Sequence, residues 1–460
     1  MNRKLMALFL AVLFAVMSFV GCGETSTTST TKKSTETTTT ESTSSQPGET
    51  TGETGTGMIH TEETVLWNQI FEDWNRAWCE EKVEEYNSLG GNVIQEFIPG
   101  DAWEERISAA RASGTAPDIF LVNYGNLVWN ANDGLIQPMD DLIPDDAWDD
   151  LYPNVLDMIT VEGKKYAYPQ LLEPAVVMYY RKDVFEQNDL DPNKPPKTWD
   201  ELIDAAVKCT TDEMFGLGLN YEWSLWGWQQ TAAGHMALNE DWSAAAVNDE
   251  GYKDLLNFFK EAYESGAVPE QALGGYNDIT PFCQGGLAIT FCGSWAIGTI
   301  RNDYPELVDK VGVAAAPTKD GKPFQSTVGG WTYVIDAKAK NPEGGGAYTY
   351  WLLGSDPARA ASFFEVAQFS KFSPRKSVDE YIVSMTEGKD DPWMQTIVRD
   401  VIPYTVPEPL YAWDISAFVL TAVGDVVVNK MSVEEALAKC EASINTFIQN
   451  NDYASKKPKK

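Results

Sequence analysis

Histidine is almost absent from this chain, which has two in 460 residues, His60 and His235. Catalytic triads and most zinc sites use histidine, and the six cysteines show no Cys-x-x-Cys spacing that could replace it. We therefore expect no histidine-based catalysis, no metal site and no cofactor. Cys283 and Cys292 are close enough in sequence to form a disulfide outside the cell, although a large core does not need one.

Positive charge is also scarce. The chain has 35 Lys and Arg against 68 Asp and Glu, for a formal net charge of −33. A surface this acidic repels nucleic acid and anionic membranes, so neither is expected as a binding partner. Residues 456–460 form a basic tail that is too short to reverse this balance, and we expect the tail to be solvated.

Long apolar runs are confined to the first residues. Arg3 and Lys4 precede an apolar stretch over residues 5–20, which predicts a secretory signal peptide over residues 1–21. No later run reaches the roughly 18 apolar residues that a bilayer span needs, which predicts a soluble body. The small residues before Cys22 resemble a bacterial lipobox, with Phe19 where Leu is usual. This resemblance implies that Cys22 is lipidated; an ordinary signal peptide or an uncleaved anchor are the alternatives.

Residues 22–57 form a second distinctive segment, made almost entirely of Thr, Ser, Gly, Glu and Lys. Such a composition has no apolar side chains whose burial could offset the entropy of ordering the chain. We interpret it as a flexible tether with a root-mean-square span of about 30 Å.

The remaining 400 or so residues are globular in composition and alternate short apolar strands with amphipathic helices, which predicts α/β units. A body of this size favours two lobes. Strands are predicted over residues 63–68, 93–98 and 119–122, and Asp101 is predicted to cap a helix that ends at Gly114. Further helix starts are predicted at Thr198 with Glu201, at Asp356, and at Ser432 with Glu435.

A series of motifs in one order runs through this body. Gly-Lys-Lys-Tyr-Ala-Tyr-Pro at residues 163–169 is followed by Met-Tyr-Tyr-Arg-Lys-Asp-Val-Phe at residues 178–185. Pro-Lys-Thr-Trp-Asp-Glu-Leu at 196–202, Gly-Ser-Trp-Ala at 293–296 and Gly-Gly-Trp at 329–331 come next. From about residue 60 to 440 the chain resembles bacterial extracellular solute-binding proteins of the sugar type, which serve ATP-driven importers.

The resemblance implies a two-lobed fold of the periplasmic-binding-protein type II class. Each lobe is expected to be a mostly parallel sheet flanked by helices, and several hinge crossings join the lobes. Residues 58–169 and 313–355 are assigned to the first lobe, and residues 170–312 and 356–455 to the second. Ligands of such sheets bind at the carboxyl ends of the strands, which here face the gap between the lobes.

A sugar site needs flat aromatic rings for the apolar face of the ligand, and carboxylates or amides for its hydroxyls. Trp295 is assigned through the resemblance, because it lies at the ring-stacking position of the family. The other candidates follow strand ends, crossings and Gly- or Pro-rich turns. Trp295, Glu173, Trp226, Trp228 and Asn68 could instead belong to the core, and Arg375 could instead be an exposed cation in a loop. The predicted ligand-binding residues are Trp295, Glu173, Trp226, Trp228, Trp223, Tyr124, Asn123, Trp331, Glu408, Tyr411, Arg375 and Asn68.

We therefore predict a monomeric receptor, anchored by lipid on the extracellular face of the bacterial cell membrane, that is not an enzyme. It would bind a mono- or oligosaccharide and deliver it to an ABC permease with its ATPase, with the lipid as its sole membrane contact. Two alternatives stay open: a polyamine or peptide ligand held by Glu173 and Glu408, and a carbohydrate-active enzyme with two carboxylates about 5–9 Å apart.

Overall fold

The computed structural model describes residues 59–70, 73–221, 225–275, 278–385 and 390–460, which belong to one compact unit. The fold is α/β, with two lobes that are each built on one sheet. The sheet of the first lobe has the strand order β2-β1-β3-β14-β4, and β7 also pairs with β14. Its strands are β1 (Thr64–Ile70), β2 (Val93–Pro99), β3 (Ile119–Asn123), β4 (Ile136–Gln137), β7 (Tyr168–Pro169) and β14 (Trp331–Asp336).

The sheet of the second lobe has the strand order β10-β11-β9-β12. Its strands are β9 (Val177–Arg181), β10 (Phe215–Gly218), β11 (Leu287–Cys292) and β12 (Val311–Ala314). A separate hairpin pairs β5 (Thr160–Val161) with β6 (Lys164–Lys165). The central strands are apolar and almost fully buried, as expected for strands that are covered on both faces.

A small third sheet, here called the crossing sheet, joins the two lobes. It consists of β8 (Glu173–Pro174), β13 (Thr327–Gly329) and β15 (Val406–Pro407). In the chain, β8 lies between β7 of the first lobe and β9 of the second, and β13 lies between β12 of the second lobe and β14 of the first. The chain therefore passes between the lobes through this sheet in both directions.

The sheets are mostly parallel, as expected, and each contains one antiparallel strand, β14 in the first sheet and β9 in the second. The pairs β1–β2, β1–β3 and β10–β11 are parallel, whereas β14 and β9 run antiparallel to the strands beside them. The crossing sheet explains why β14 and β9 are antiparallel to their neighbours. Because β14 and β9 start there, Trp331 pairs with Asn123 at the end of β3, and Val177 pairs with Cys292 at the end of β11. The carboxyl ends of β3 and β11 consequently meet the crossing sheet.

Seventeen α-helices flank the sheets in the described residues. They are α1 (Asp73–Ser88), α2 (Trp103–Ser113), α3 (Tyr124–Asn132), α4 (Asp145–Asp149), α5 (Pro153–Ile159), α6 (Lys182–Gln187), α7 (Trp199–Cys209), α8 (Leu225–Ala233), α9 (Glu250–Glu264), α10 (Thr280–Cys283), α11 (Ala296–Asp303), α12 (Pro342–Thr349), α13 (Pro357–Val366), α14 (Lys376–Ser384), α15 (Pro392–Asp400), α16 (Trp413–Val427) and α17 (Val433–Asn451). None of these helices is both long and apolar enough to cross a bilayer.

The helix starts follow the sequence signals with one exception. Thr198 and Glu201 form the predicted reciprocal capping box of α7, and the Asp356 and Ser432 side chains cap α13 and α17. The prediction for Asp101 is wrong. A short 3-10 turn over Gly100–Ala102 precedes α2, so Ala102 takes the N-cap position and provides no side-chain cap.

Two clusters of buried apolar side chains form the core. One spans the first sheet and continues over one face of the second; the other fills the opposite face of the second sheet beneath α7, α8, α9, α16 and α17. Helix α13 packs against α1, where the Trp78 indole donates a hydrogen bond to Ser362 Oγ at 2.9 Å. The division of the helices between the lobes stays a prediction.

Five cysteines of the described residues are buried and free. The alternative of a disulfide between Cys283 and Cys292 is therefore not adopted. Burial raises the pKa of Cys209 to about 11 and the pKa of Cys79, Cys283, Cys292 and Cys440 to about 12. Cys79, Cys283 and Cys292 lie in the first core cluster, and Cys209 and Cys440 lie in the second.

The basic tail is bound to the body rather than solvated along its length. The Lys459 backbone exchanges two hydrogen bonds with the Asn132 side chain on α3, at 2.8 and 2.9 Å. Lys460 Nζ lies 2.7 Å from the Asp157 carboxylate on α5, and Pro458 is buried. The tail therefore ties the segment after α17 to helices beside the first sheet.

Candidate functional site

The carboxyl ends of β3 and β11 meet the crossing sheet, and several predicted residues come together there. Glu173 in β8 pairs with Gly329 in β13, and Glu408 directly follows β15, which lies on the other side of β13. A Cβ atom on Gly329 would lie 3.3 Å from Glu408 Oε1, and a Cβ atom on Gly125 would lie 3.3 Å from Glu408 Oε2. The Glu408 carboxyl group thus lies between two glycines, one from each flanking element.

Glu173 and Glu408 have different partners. Glu173 forms an ion pair with Lys371, and both side chains are largely buried. Glu408 is half-buried, and no hydrogen-bond donor contacts its carboxyl group among the described residues. Burial, together with repulsion from the Glu173 carboxylate, raises the pKa of Glu408 to about 7. The site therefore contains one neutralised acid and one acid without a partner.

Trp295 reaches the same region from the second lobe. The Ser294 amide donates a hydrogen bond to the Pro174 carbonyl at 3.0 Å, which joins the turn before α11 to β8. The buried Tyr179 hydroxyl donates to the Gly293 carbonyl at 2.9 Å and so fixes the same turn. The indole lies over Gly293, where a Cβ atom would come within 2.0 Å of the ring. Trp295 is held at this turn half-buried.

Asn123 and Trp331 belong to the first lobe and are paired in its sheet. Asn123 caps α3 by accepting a hydrogen bond from the Asn126 amide at 2.9 Å, and Trp331 is half-buried. They line a cavity of about 50 Å³ with Gln69, Asn126 and Asn130. Side-chain amides beside an indole are the groups that recognise hydroxyls and the apolar face of a sugar ring.

Four buried polar atoms around the crossing sheet have no hydrogen-bond partner in the described residues. They are Tyr124 Oη, Gln170 Nε2, Ser294 Oγ and Thr327 Oγ1. Their backbones are fixed at the crossing: for example, the Gln170 amide donates to the Trp331 carbonyl at 2.9 Å, and the Tyr124 amide donates to the Gly330 carbonyl at 3.4 Å. Native proteins satisfy nearly all buried polar groups, so a cluster of exceptions indicates a place where other molecules bind.

Other predicted residues lie in the interior. Trp228 is surrounded by Phe258, Phe259, Phe291 and Phe324, with ring centroids 5.0–6.2 Å apart, and it fills the second core cluster.

Trp226 is also buried, and its indole donates to Ser416 Oγ at 2.8 Å. Asn68 is buried in β1, where it donates to Gln95 Oε1 at 2.7 Å and accepts from the Tyr333 hydroxyl at 3.1 Å. Neither side chain is brought to the crossing sheet by these contacts.

Arg375 and Tyr411 are likewise engaged elsewhere. The buried Arg375 guanidinium donates to Asp150 Oδ2 at 2.7 Å and to the Leu353 carbonyl. Although burial opposes the shift, hydrogen bonds from Ser377 and Arg375 lower the pKa of Asp150. The Tyr411 hydroxyl accepts from the Ala237 amide at 3.4 Å, and its ring packs in the second core cluster. Trp223 and Cys22 lie outside the described residues.

Sequence reasoning missed Lys371, Gln170, Ser294 and Thr327. Gln170 directly follows the motif that ends at Pro169, and Ser294 directly precedes Trp295, so both could have been found from the motifs. Lys371 is 198 residues from Glu173 in the chain, and no local pattern signals their contact. In the described residues, no cluster of three or more His, Cys, Asp or Glu side chains could hold a metal ion.

A larger cavity of about 470 Å³ lies elsewhere and contains none of the predicted residues. Lys319, Lys322, Asp254 and Asp320 line it, and they form the ion pairs Lys319–Asp254 and Lys322–Asp320. These four charged side chains are paired with one another, so none of them is left as an unpaired charge for a ligand. The crossing sheet is the candidate site.

Two of the curated relatives are named for a polyol or a sugar that they bind. The mannitol-binding protein of Pseudomonas aeruginosa is 26% identical over 238 residues, which cover 50% of this chain and 54% of that protein. The maltotriose-binding protein of Pyrococcus abyssi is 25% identical over 283 residues, which cover 59% of this chain and 56% of that protein. The chain spans about half the length of these relatives.

Solved structures share the fold over most of both chains. The sugar-binding protein MalE from Xanthomonas citri has a TM-score of 0.74 at 17% identity, and the match covers 86% of this chain and 100% of that one. The cyclic α-maltosyl-1,6-maltose binding protein from Arthrobacter globiformis has a TM-score of 0.70 at 23% identity, with 85% and 100% covered. These similarities show the two-lobed fold.

A sequence profile described as bacterial extracellular solute-binding protein matches residues 72–359, which is more than half of the chain. The match includes the crossing at β8, the turn before Trp295 and the strand that starts at Trp331. The chain belongs to the bacterial extracellular solute-binding protein family.

Proposed function

We propose that this protein is a lipid-anchored extracellular receptor of an ABC importer that binds a mono- or oligosaccharide at the crossing sheet. The observation that carries the proposal is the Glu408 carboxyl group, which lies between Gly125 and Gly329 and contacts no hydrogen-bond donor in the described part of the chain. A sugar hydroxyl is a donor of the right kind, and an indole face beside it would contact the apolar side of the same ring.

The rings that would contact the sugar are Trp295 and Trp331, both half-buried at the crossing. Trp226 and Trp228 are buried, so we do not count them among the rings that would contact the sugar. We add Trp413 at the start of α16 as a third ring, because 43% of its surface is exposed. Its edge-to-face contact with Trp226, at a centroid distance of 5.9 Å, supports it.

Binding across the crossing sheet would couple the ligand to movement of the lobes. Asn123 and Trp331 belong to the first lobe, Trp295 to the second, and Glu173 to the crossing sheet itself. A ligand that contacts all three stabilises the arrangement in which they are close, and so favours closure. A closed form is the state that a permease would distinguish from the empty receptor.

A thermal-shift screen tests the proposal directly. The probes are mannitol, maltotriose, maltotetraose, tagatose and mannobiose, with spermidine and a tripeptide as the alternatives. A ligand at one hundred times its Kd stabilises the folded form by about 2.7 kcal/mol, which gives a measurable rise in Tm. We expect at least one saccharide to raise Tm, and calorimetry to give one site per chain.

A response to spermidine or the peptide alone would favour the other receptor function. The structure offers one observation for a cationic ligand, namely the two acids Glu173 and Glu408. Lys371 already neutralises Glu173, however, which leaves a single acid for a polyamine. A shift with none of the probes would count against a saccharide receptor.

The enzyme alternative is tested on the same samples. Glu173 and Glu408 repel one another through space, so they are the pair that a glycosidase mechanism would use. Glu173 is held by Lys371 instead of being free to attack or to activate water. We expect no shorter sugars after prolonged incubation with maltotetraose; release of glucose would favour the enzyme.

A further inference from the structure

We infer that Glu408 selects the ligand by charge, by accepting a hydrogen bond from a hydroxyl or ammonium group and excluding sugars that carry a carboxylate. This inference rests on the proposed function and narrows its substrate class to neutral and amino sugars. Glu408 would then be a specificity-determining residue of the receptor.

The first argument is the position of the carboxyl group. Gly125 and Gly329 each lie beside one of its two oxygens. A Cβ atom on either glycine would lie only 3.3 Å from that oxygen, so a larger residue would crowd the carboxyl group. These neighbours provide no donor to the carboxyl group. Glu408 is half-buried, so its carboxyl group has lost part of its contact with water, and no donor among the described residues replaces that contact.

Other acids are satisfied, both at the crossing sheet and away from it, which sets Glu408 apart. Glu173 is paired with Lys371, and Asp150 accepts hydrogen bonds from Arg375 and Ser377. The fold therefore supplies partners to acids with a structural role and leaves Glu408 for a group from outside. The missing partner must be a donor, because an ionised carboxylate can only accept.

The second argument is the charge around Glu408. The charged side chain acting on it is Glu173 in β8, which carries Lys371 as its counter-ion. The flanking α3 and β13 present Asn123, Gly125 and Gly329, which are uncharged. A ligand carboxylate would add a third acid to this group with one lysine between them, and like charges at contact distance oppose binding.

The protonation of Glu408 makes the inference testable by pH. Its pKa of about 7 in the free protein means that about a tenth of the group is ionised at pH 6 and about nine tenths at pH 8. Because a hydroxyl donates best to the ionised form, affinity for a neutral sugar should rise about tenfold from pH 6 to pH 8. Affinity for a uronate should change in the opposite direction.

The binding experiment uses D-glucose, D-glucosamine and D-glucuronate, which differ in single substituents, together with the best saccharide of the thermal-shift screen. At pH 7.5 we expect glucuronate to bind at least tenfold more weakly than glucose. Glu408→Gln should remove both this difference and the pH dependence, whereas Glu186→Gln on the exposed face of α6 should change neither. Equal binding of glucuronate, or an unchanged discrimination in Glu408→Gln, would overturn the inference.

A second measurement needs no ligand. Between about pH 4.5 and pH 7, Glu408 is protonated in the folded protein but ionised in the unfolded chain. The destabilisation that Glu408 causes is therefore absent below about pH 4.5 and complete above about pH 7. From pH 5 to pH 8, the unfolding equilibrium constant of the wild type should rise about tenfold or more relative to Glu408→Gln. Parallel stability profiles would show that the Glu408 carboxyl group is satisfied by the protein, against the inference.

These results separate the two proposals. If no saccharide binds at all, the proposed function fails and the inference fails with it. If saccharides bind while glucuronate and glucose are held equally, the receptor function stands and the charge selection falls.

Discussion

At the residue scale, Glu173 and Glu408 show that two glutamates can differ in role because their partners differ. Glu173 forms an ion pair with Lys371, whereas Glu408 is left for a ligand. Both were expected from the sequence, because one follows the motif that ends at Pro169 and the other lies in a Pro-flanked turn. The sequence could not distinguish them, since Lys371 is 198 residues from its partner Glu173. The ion pair is made by the fold, and it decides which acid is left for a ligand.

The tryptophans show the same limit. Trp228 and Trp295 both follow a glycine-containing turn or helix start, and each is a reasonable stacking ring on sequence grounds. The packing around them differs completely: four phenylalanines enclose Trp228, whereas Trp295 stays half-buried over Gly293. Burial is set by contacts between distant segments, which a local pattern does not contain.

Replacing Trp295 with alanine tests its assignment to the site. Loss of a stacking ring and its buried surface should weaken saccharide affinity by about 1–3 kcal/mol, while the far-UV circular dichroism stays unchanged. Tyr381→Ala is the control, because this exposed ring lies on α14 away from the crossing sheet. Unchanged calorimetric affinity in Trp295→Ala would remove this residue from the site.

At the scale of elements, local signals predicted the helix starts well but did not indicate which strand of each sheet is antiparallel. Helix α7 begins where Thr198 and Glu201 form their capping box, since such a cap involves four neighbouring residues. The direction of β14 depends instead on where the chain returns from the second lobe. No periodicity within Trp331–Asp336 records that path, so the sequence predicted mostly parallel sheets without indicating that this strand is the antiparallel one.

The connection between β13 and β14 depends on a single residue, Gly330. Its φ is +131°, and a Cβ atom there would lie 2.3 Å from the Leu171 carbonyl oxygen. Gly330→Ala should therefore lower the free energy of unfolding by about 3 kcal/mol or more, because it combines backbone strain with a backbone clash.

Gly234 provides the matched control for this substitution. Its φ is +80°, but a Cβ atom there would meet nothing within 4 Å. Gly234→Ala should cost about 1 kcal/mol, the price of the left-handed conformation alone. Urea denaturation of both variants measures the difference, and equal losses would show that the contact with Leu171 relaxes freely.

For the whole molecule, the basic tail connects the end of the chain to α3 and α5, which its composition did not predict. Its lysines were expected to be solvated, and their side chains are indeed exposed, yet the backbone is bound through Asn132. Removing residues 457–460 should lower the free energy of unfolding by about 1–2 kcal/mol, mostly through the two lost hydrogen bonds. Asn132→Ala should reproduce most of this loss in urea denaturation; no change in either variant would show that the tail contributes nothing.

The proposed anchor is also a property of the whole molecule. If Cys22 carries the lipid, Cys22→Ala should release the protein into the medium of expressing cells, because a flexible tether alone has no affinity for a bilayer. The measurement is the share of protein in the washed membrane fraction, with Cys79→Ala as a control that keeps the anchor. Retention of Cys22→Ala on membranes would show that another segment holds the protein.

The five buried thiols make local opening of the core measurable without an added probe site. A thiol-reactive dye reaches Cys79, Cys283 or Cys292 only when the first core cluster opens, and Cys209 or Cys440 only when the second opens. Labelling rates followed by peptide mass spectrometry would therefore show whether the two core clusters open together or in turn. If they open together, a bound sugar should slow all five labelling rates by the same factor.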